Sequence, residues 1–116
     1  SLINTVLGMA IDVKSKKPLL GNTFGGMSGG AVKPIALRMI YQVYEAVTIP
    51  IVGMGGILNG TDALEFLMAG ASLLSIGTGF FINPMVSVEV EKTLRDYCQQ
   101  ENIKNIQEIV GIAHRR

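Results

Sequence analysis

The sequence predicts an α/β protein built on a parallel sheet, and three observations support that prediction. Residues 48–56 and residues 71–79 share one plan, a short apolar run that opens into a glycine turn. Unbroken apolar runs are typical of parallel strands that are covered on both faces. Residues 61–69 lie between the two runs and carry apolar side chains along one helical stripe. Strand, helix and strand in this order indicate a βα repeat.

Upstream of this repeat, the pattern predicts a further short strand at residues 2–6 and a helix at residues 34–47. That helix has a proline in its first turn, where the missing N–H costs no hydrogen bond. The connection between the two, residues 7–33, has room for a small hairpin formed by residues 9–13 and residues 18–20. Long connections of this kind usually carry function.

The helix at residues 61–69 has recognisable end signals. Asn59 or Thr61 can cap its start, and Asp62 suits the positive end of the helix dipole. Gly70 stands where such a helix stops.

Downstream, the apolar spacing predicts a helix that starts after Asn83 and continues to about Gln100, then a short helix at residues 105–110. The last residues, 114–116, are predicted to form a solvated tail. Alternating strands and helices leave two closed architectures open, a doubly wound sheet or a piece of an eight-stranded barrel.

The composition excludes several classes of protein. A formal net charge of +1 in 116 residues indicates neither a polybasic nucleic-acid binder nor a self-repelling disordered chain. One cysteine and one histidine cannot form an internal disulfide or a metal-ligand cluster, so no metal is expected. Without an evident membrane span or signal peptide, we expect no membrane partner and a cytoplasmic location. Because the chain begins at Ser1 without a methionine, we expect a fragment of a larger protein.

Glycine is the most informative residue type, with 14 glycines in 116 residues against a typical share of ~7%. Gly55 and Gly56 follow one predicted strand, and Gly77 and Gly79 follow the next. A backbone without side chains allows a ligand to approach closely, and successive N–H groups suit an anion. One such turn is explained as well by tight geometry alone, whereas two at successive strand ends favour a phosphate-bearing ligand.

A third glycine cluster, residues 25–30, allows two interpretations. Ser28 and Gly29 can offer a hydroxyl and an N–H group to the same phosphate or to a flat ring, or the segment is simply a flexible loop. Asn4 and Thr5 end the first predicted strand, where a barrel places its ligand contacts. An Asn amide suits a planar imide-containing substrate, although a turn or cap role is ordinarily more common.

Four motifs in sequence order resemble the C-terminal part of the dihydroorotate dehydrogenases. They are LINTV at residues 2–6, GGMSG with AVKP at residues 25–34, IVGMGGI at residues 51–57 and GT at residues 77–78. The stretch LGMAID at residues 7–12 is most similar to the NAD-linked class, in which a second subunit carries FAD and an iron–sulfur cluster.

The resemblance implies that residues 1–116 are the C-terminal three βα units of a single FMN-binding TIM (β/α)8 barrel domain. It implies oxidation of (S)-dihydroorotate to orotate in pyrimidine biosynthesis, with the hydride passing to the flavin. By resemblance, Asn4 and Thr5 contact the substrate. The positions that match FMN contacts are Ile3, Gly29, Gly55, Gly56, Gly77 and Thr78, the last four forming the phosphate cradle.

The resemblance assigns no catalytic residue to this chain. In the NAD-linked class the catalytic base is a cysteine in the earlier part of the barrel, and Cys98 is not its equivalent. Lys33 likewise is not the family's flavin-contacting lysine. We expect the isolated chain to be inactive and the whole protein to be an oligomer. Two alternatives remain: a related flavin barrel that oxidises another dihydropyrimidine, and an inactive half-barrel with a structural or assembly role.

Overall fold

The computed structural model describes residues 1–115. The strands are β1 (Val6–Gly8), β2 (Ile11–Asp12), β3 (Lys17–Pro18), β4 (Gly25–Met27), β5 (Val52–Met54) and β6 (Leu73–Ser75). The α-helices are α1 (Lys33–Tyr44), α2 (Gly60–Ala69), α3 (Thr78–Ile82) and α4 (Val86–Gln100). Single 3-10 turns are formed by Gly30–Val32, Ile106–Ile109 and Ile112–His114.

The βα repeat predicted from the two apolar runs is confirmed. Strands β5 and β6 pair in parallel, with Met54 opposite Ser75, and α2 connects them. Phe66 of α2 is completely buried. A Cβ at Gly53 would lie 2.9 Å from the ring of Phe66 and 2.8 Å from Ala71 Cβ, so the helix packs on β5 only because this strand residue has no side chain.

The helices form one hydrophobic core against this parallel pair. Helix α2 packs between α1 and α4, and its contacts with both are among the most extensive between elements. The buried core residues are Ala36, Ile40, Ile51, Ile57, Ala63, Phe66, Ala69, Ala71, Val86 and Val90. In the part of the chain that the structure describes, no helix is both long enough and apolar enough to cross a membrane.

The ends of α2 follow the predicted signals. The Asn59 side-chain oxygen accepts a hydrogen bond of 2.9 Å from the N–H of Asp62, which makes Asn59 the cap residue. The helix ends at Gly70, whose φ of +120° is unfavourable for residues with a side chain.

The strand predicted at residues 2–6 is displaced. Residues 2–5 are in no strand, and β1 begins at Val6 and pairs antiparallel with β4, Val6 opposite Met27. Within residues 1–115, β5 pairs only with β6 and residues 2–5 form no strand. The chain instead pairs through β1 with β4, whose glycines leave room for it. The Thr5 side chain occupies the space that a Cβ at Gly26 would need. Beyond β1, strands β2 and β3 form the predicted hairpin.

The prediction of a solvated tail is wrong for His114. Its side chain is 10% exposed, and its ring stacks on Tyr41 with the centroids 3.8 Å apart. His114 Nε2 lies 3.0 Å from the carbonyl oxygen of Ala69 at the end of α2. The chain returns to the core because the N–H of Gly111 donates to the Leu67 carbonyl over 3.0 Å. The remaining predicted tail residue, Arg116, lies outside the described residues.

Candidate functional site

One cleft brings together all of the predicted ligand-binding residues. Its cavity volume is about 120 Å³, which is smaller than the ~300–1,000 Å³ of a complete small-molecule site. The predicted residues that line it are Ile3, Asn4, Thr5, Gly29, Gly55, Gly56, Gly77 and Thr78. Seven further residues complete the lining: Met27, Ser28, Val32, Met54, Ile57, Ser75 and Gly79.

The parallel pair of strands places two of the glycine turns side by side. Strand β5 ends at Met54 and β6 ends at Ser75, and these two residues lie opposite each other in the register. The turn that contains Gly55 and the turn that contains Gly77 therefore leave the sheet at the same edge. Carboxyl ends of parallel strands are the usual position of ligand sites in α/β folds.

Gly55 and Gly56 adopt backbone conformations that favour glycine, with φ of +109° and +85°. A Cβ at Gly55 would lie 2.9 Å from Ile3 Cγ2, so this glycine allows Ile3 to form part of the cleft wall. A Cβ at Gly56 would lie 2.8 Å from the carbonyl oxygen of Gly29 and from the backbone nitrogen of Lys33. The turn that contains Gly56 and the segment from Gly29 to Lys33 therefore pack backbone against backbone.

A hydrogen bond joins the third glycine cluster to the start of α3. Thr78 Oγ1 donates to Ser28 Oγ over 2.9 Å, although the two residues are 50 positions apart. Either hydroxyl can donate in such a pair, and the one that accepts keeps its own hydrogen for a ligand. Gly29 follows with φ of +81°, a backbone conformation that favours glycine, and its Cβ position lies at an ordinary contact distance of 3.4 Å from the methyl group of Thr78. The cluster is therefore an ordered wall of the cleft.

Gly77 differs from the other glycines in the cleft, because a Cβ there would meet nothing within 4 Å. Packing within this chain does not explain why the position lacks a side chain. In residues 1–115, the N–H groups of Thr78 and Gly79 at the start of α3 donate to no acceptor. Open space next to unpaired backbone donors fits a bound anion such as a phosphate group.

Asn4 and Thr5 lie at the mouth of the cleft and are exposed. The Asn4 side-chain oxygen accepts a hydrogen bond of 2.7 Å from the N–H of Thr5. This bond engages the amide oxygen and leaves the NH₂ group of this lining residue without a partner in residues 1–115, so it can donate to a ligand. The side chains can therefore recognise carbonyl or carboxylate oxygens.

Some lining residues could not be found from the sequence. Met27 enters the cleft because β1 and β4 pair, and that pairing joins segments about 20 residues apart along a connection of unusual length. Met54 and Ser75 were recognisable as the last residues of their strands, the position where ligand contacts concentrate. Cys98, on α4, does not line the cleft. No group of three His, Cys, Asp or Glu residues in the described residues is placed to hold a metal ion.

Comparison with known proteins gives one consistent result. The family model described as dihydroorotate dehydrogenase matches residues 1–97. The chain is 60% identical over 114 residues to a protein of Brachyspira hyodysenteriae named dihydroorotate dehydrogenase B (NAD(+)), catalytic subunit. It is 58% identical over 114 residues to the protein of the same name from Desulforamulus reducens. Each alignment covers 98% of this chain.

Solved structures agree with the sequence relatives. The crystal structure of DHODH from Eimeria tenella in complex with ferulenol has a TM-score of 0.80 and 27% identity over 99% of this chain. The ligand-free form of that enzyme has a TM-score of 0.81 and the same identity. The chain spans 38% of the length of the two bacterial relatives and 31% of the ferulenol-bound chain. It is a mixed α/β piece of a larger fold, as the sequence predicted.

Proposed function

The chain belongs to the dihydroorotate dehydrogenase family, and we propose that it is the C-terminal part of an NAD-linked catalytic subunit that oxidises (S)-dihydroorotate to orotate. The proposal is supported by the names of its bacterial relatives. In this proposal residues 1–116 are the last three βα units of one FMN-binding (β/α)8 barrel that acts in pyrimidine biosynthesis. The observation that carries the proposal is the single cleft in which both strand-end glycine turns meet Asn4 and Thr5.

The backbone around the two turns fits the phosphate of FMN. We assign the phosphate cradle to Gly55, Gly56, Gly77 and Thr78, because open space at Gly77 coincides with an unpaired N–H group at Thr78 and the turn that contains Gly55 and Gly56 lines the same cleft. When bound, FMN supplies the acceptor for the hydride that dihydroorotate loses. Ile3 and Gly29 form walls against the rest of the cofactor in this assignment.

Asn4 and Thr5 act on the substrate in this proposal. The NH₂ group of Asn4 donates hydrogen bonds to oxygens of the pyrimidine ring or of its carboxylate, because its own oxygen is already used by the Thr5 N–H. The Thr5 hydroxyl adds a second group that can donate or accept. Together they orient the ring, whereas the base that removes the substrate proton belongs to the part of the parent protein outside this chain.

The proposal extends to partners and location. Electrons would leave the flavin for a second subunit that carries FAD and an iron–sulfur cluster and reduces NAD, consistent with the names of the relatives. The whole protein would be an oligomer in the cytoplasm. The isolated chain would be inactive, because the base and the remaining strands of the barrel are elsewhere.

The test uses the full-length parent protein and compares FMN with riboflavin, which lacks the phosphate. The perturbation is Gly77→Ala, and the control is Gly21→Ala, because a Cβ at Gly21 also meets nothing within 4 Å. We expect Gly77→Ala to weaken FMN binding at least tenfold in a fluorescence titration while riboflavin binding changes less than twofold. Gly21→Ala should change neither. Equal losses for both ligands would contradict the phosphate assignment, and a parent protein without FMN affinity would contradict the function.

Steady-state assays of the same parent protein test the substrate. We expect turnover of dihydroorotate with orotate as the product, measured by orotate absorbance. Faster turnover of dihydrouracil than of dihydroorotate would instead favour a related dihydropyrimidine-oxidising barrel.

A further inference from the structure

An ion pair outside the cleft joins two of the segments that form its walls. Lys33 is the first residue of α1 and directly follows the segment that contains Gly29. Asp62 lies in the first turn of α2 and follows the turn that contains Gly55 and Gly56. Lys33 Nζ lies 2.6 Å from Asp62 Oδ1, and neither side chain lines the cleft.

Both carboxylate oxygens of Asp62 are engaged. Oδ1 accepts from Lys33, and Oδ2 accepts from the N–H of Leu58 over 2.9 Å. Asp62 is 7% exposed and is the buried charged residue of the described chain. One carboxylate therefore ties the loop after β5 to the start of α1. An outer carboxylate, Glu65, also lies 3.2 Å from Lys33 Nζ.

The two segments tied by this pair are in tight backbone contact. The space for a Cβ at Gly56 is already occupied by the Gly29 carbonyl oxygen and by the backbone of Lys33. Gly30 in turn has the side chain of Leu58 within 3.2 Å of its Cβ position. A shift of either segment at the ion pair must therefore displace Gly29 relative to Gly56 inside the cleft.

We propose that Lys33 and Asp62 are positioning residues that hold the Gly29 wall and the Gly55–Gly56 wall of the cleft at the separation the ligand requires. The proposal rests on the function assigned to the cleft above, since it concerns the same flavin site. In this proposal the ion pair touches neither flavin nor substrate and acts by fixing the positions of the backbone segments that do.

The electrostatics favour a pair that remains charged. The hydrogen bond to Asp62 raises the pKa of Lys33 above its ordinary value, against the opposing effect of desolvation. Lys33 therefore stays protonated throughout the neutral range. Removing the lysine charge leaves a buried carboxylate without its partner, which is the costly way to break such a pair.

The experiment uses four variants of the full-length parent protein. Lys33→Met removes the charge and keeps a long side chain, and Asp62→Asn keeps an acceptor for the Leu58 N–H while it weakens the ion pair. Lys33→Arg is the conservative variant. Lys92→Met is the matched control, since it breaks an ion pair of 2.5 Å with Asp96 on α4. Each variant is measured for FMN affinity, for thermal midpoint and, without flavin, for amide hydrogen exchange.

We expect Lys33→Met and Asp62→Asn each to weaken FMN binding about tenfold or more. In the flavin-free protein, exchange should accelerate in residues 28–33 and in residues 55–59 together, because each segment supports the other. Lys33→Arg should recover most of the affinity, and Lys92→Met should match the parent in both measurements.

Two results would overturn the proposal. One is a lower thermal midpoint with FMN affinity within twofold of the parent, which indicates an ordinary stabilising pair. The other is faster exchange in only one of the two segments. If the parent protein binds no FMN, the proposed function is wrong. The positioning role is still tested separately by hydrogen exchange, and it is refuted if the two segments do not accelerate together. If Lys33→Met does not fold, the same measurements on Asp62→Asn decide between these outcomes.

Discussion

Gly56 offers the sharpest test of how the cleft is built, through the substitution Gly56→Ala in the full-length parent protein. The residue has φ of +85°, and its Cβ position lies 2.8 Å from Gly29 O, Lys33 N and Lys33 Cβ. Two of these three atoms belong to the backbone, so they cannot turn away as a flexible side chain would. The new methyl group must push the two walls of the cleft apart.

The cost can be estimated from two contributions. A left-handed conformation costs a residue with a side chain about 1–2 kcal/mol. Overpacking against fixed neighbours costs about 1–3 kcal/mol more. We therefore expect Gly56→Ala to lower the free energy of unfolding by about 2–5 kcal/mol, and the lower bound corresponds to a fall of about 4 °C in Tm for a large domain. FMN affinity should fall as well, because Gly56 lines the cleft.

Differential scanning fluorimetry with and without FMN measures both effects. Gly77→Ala is the comparison, because its Cβ meets no atom within 4 Å and its φ of −111° is not left-handed, although its ψ of −88° lies outside the main allowed regions. Gly77→Ala should lower FMN affinity with a smaller fall in the Tm of the flavin-free protein than Gly56→Ala, which should lower both FMN affinity and Tm. A Tm for flavin-free Gly56→Ala equal to that of the parent would refute the packing argument.

Three further predictions concern the substrate site, the C-terminal segment and the isolated chain. Asn4→Asp keeps the acceptor for the Thr5 N–H but replaces the amide donors with a negative charge. In steady-state assays, kcat/KM for dihydroorotate should therefore fall by about 10–100-fold (~1.4–2.8 kcal/mol), and an unchanged kcat/KM would show that Asn4 does not contact the substrate. His114→Ala removes the ring stacking on Tyr41 and the contact with Ala69. The free energy of unfolding measured in urea should therefore fall by about 1–3 kcal/mol, while FMN affinity stays unchanged. An unchanged free energy of unfolding would show that these contacts do not stabilise the C-terminal segment. The isolated chain exposes large apolar side chains, with Phe81 92% exposed. It should therefore self-associate, as measured by size-exclusion chromatography with light scattering, and should show no turnover. A catalytically active monomer would contradict the proposal that the catalytic base lies outside this chain.

The helices were predictable because their signals are local. The ends of α2 follow from Asn59, Asp62 and Gly70, which act within one turn of the helix they delimit. The antiparallel pairing of β1 and the burial of His114 were not predictable in the same way. Each depends on a partner far along the chain, Met27 for Val6 and Tyr41 for His114.

The site was predictable to a similar extent and for the same reason. Glycines after successive strands indicate turns at one edge of a sheet without knowledge of the fold, so the meeting of Gly55 and Gly77 in one cleft was predictable from spacing. That they bind a ligand stays a prediction. The Ser28–Thr78 hydrogen bond and the Lys33–Asp62 pair were not, because they join segments 50 and 29 residues apart. Such contacts become visible only when the fold has brought the segments together.

The antiparallel extension formed by β1 to β4 has both of its ends at the cleft, since Thr5 precedes β1 and Met27 ends β4. Their pairing is fixed at the base of the extension, where Val6 lies opposite Met27. One residue inserted within β1 would turn the following side chains to the opposite face. A change of length in the far turn, residues 13–16, leaves that register intact, so this turn is the place to attach a fluorescent reporter without displacing the ligand-binding residues.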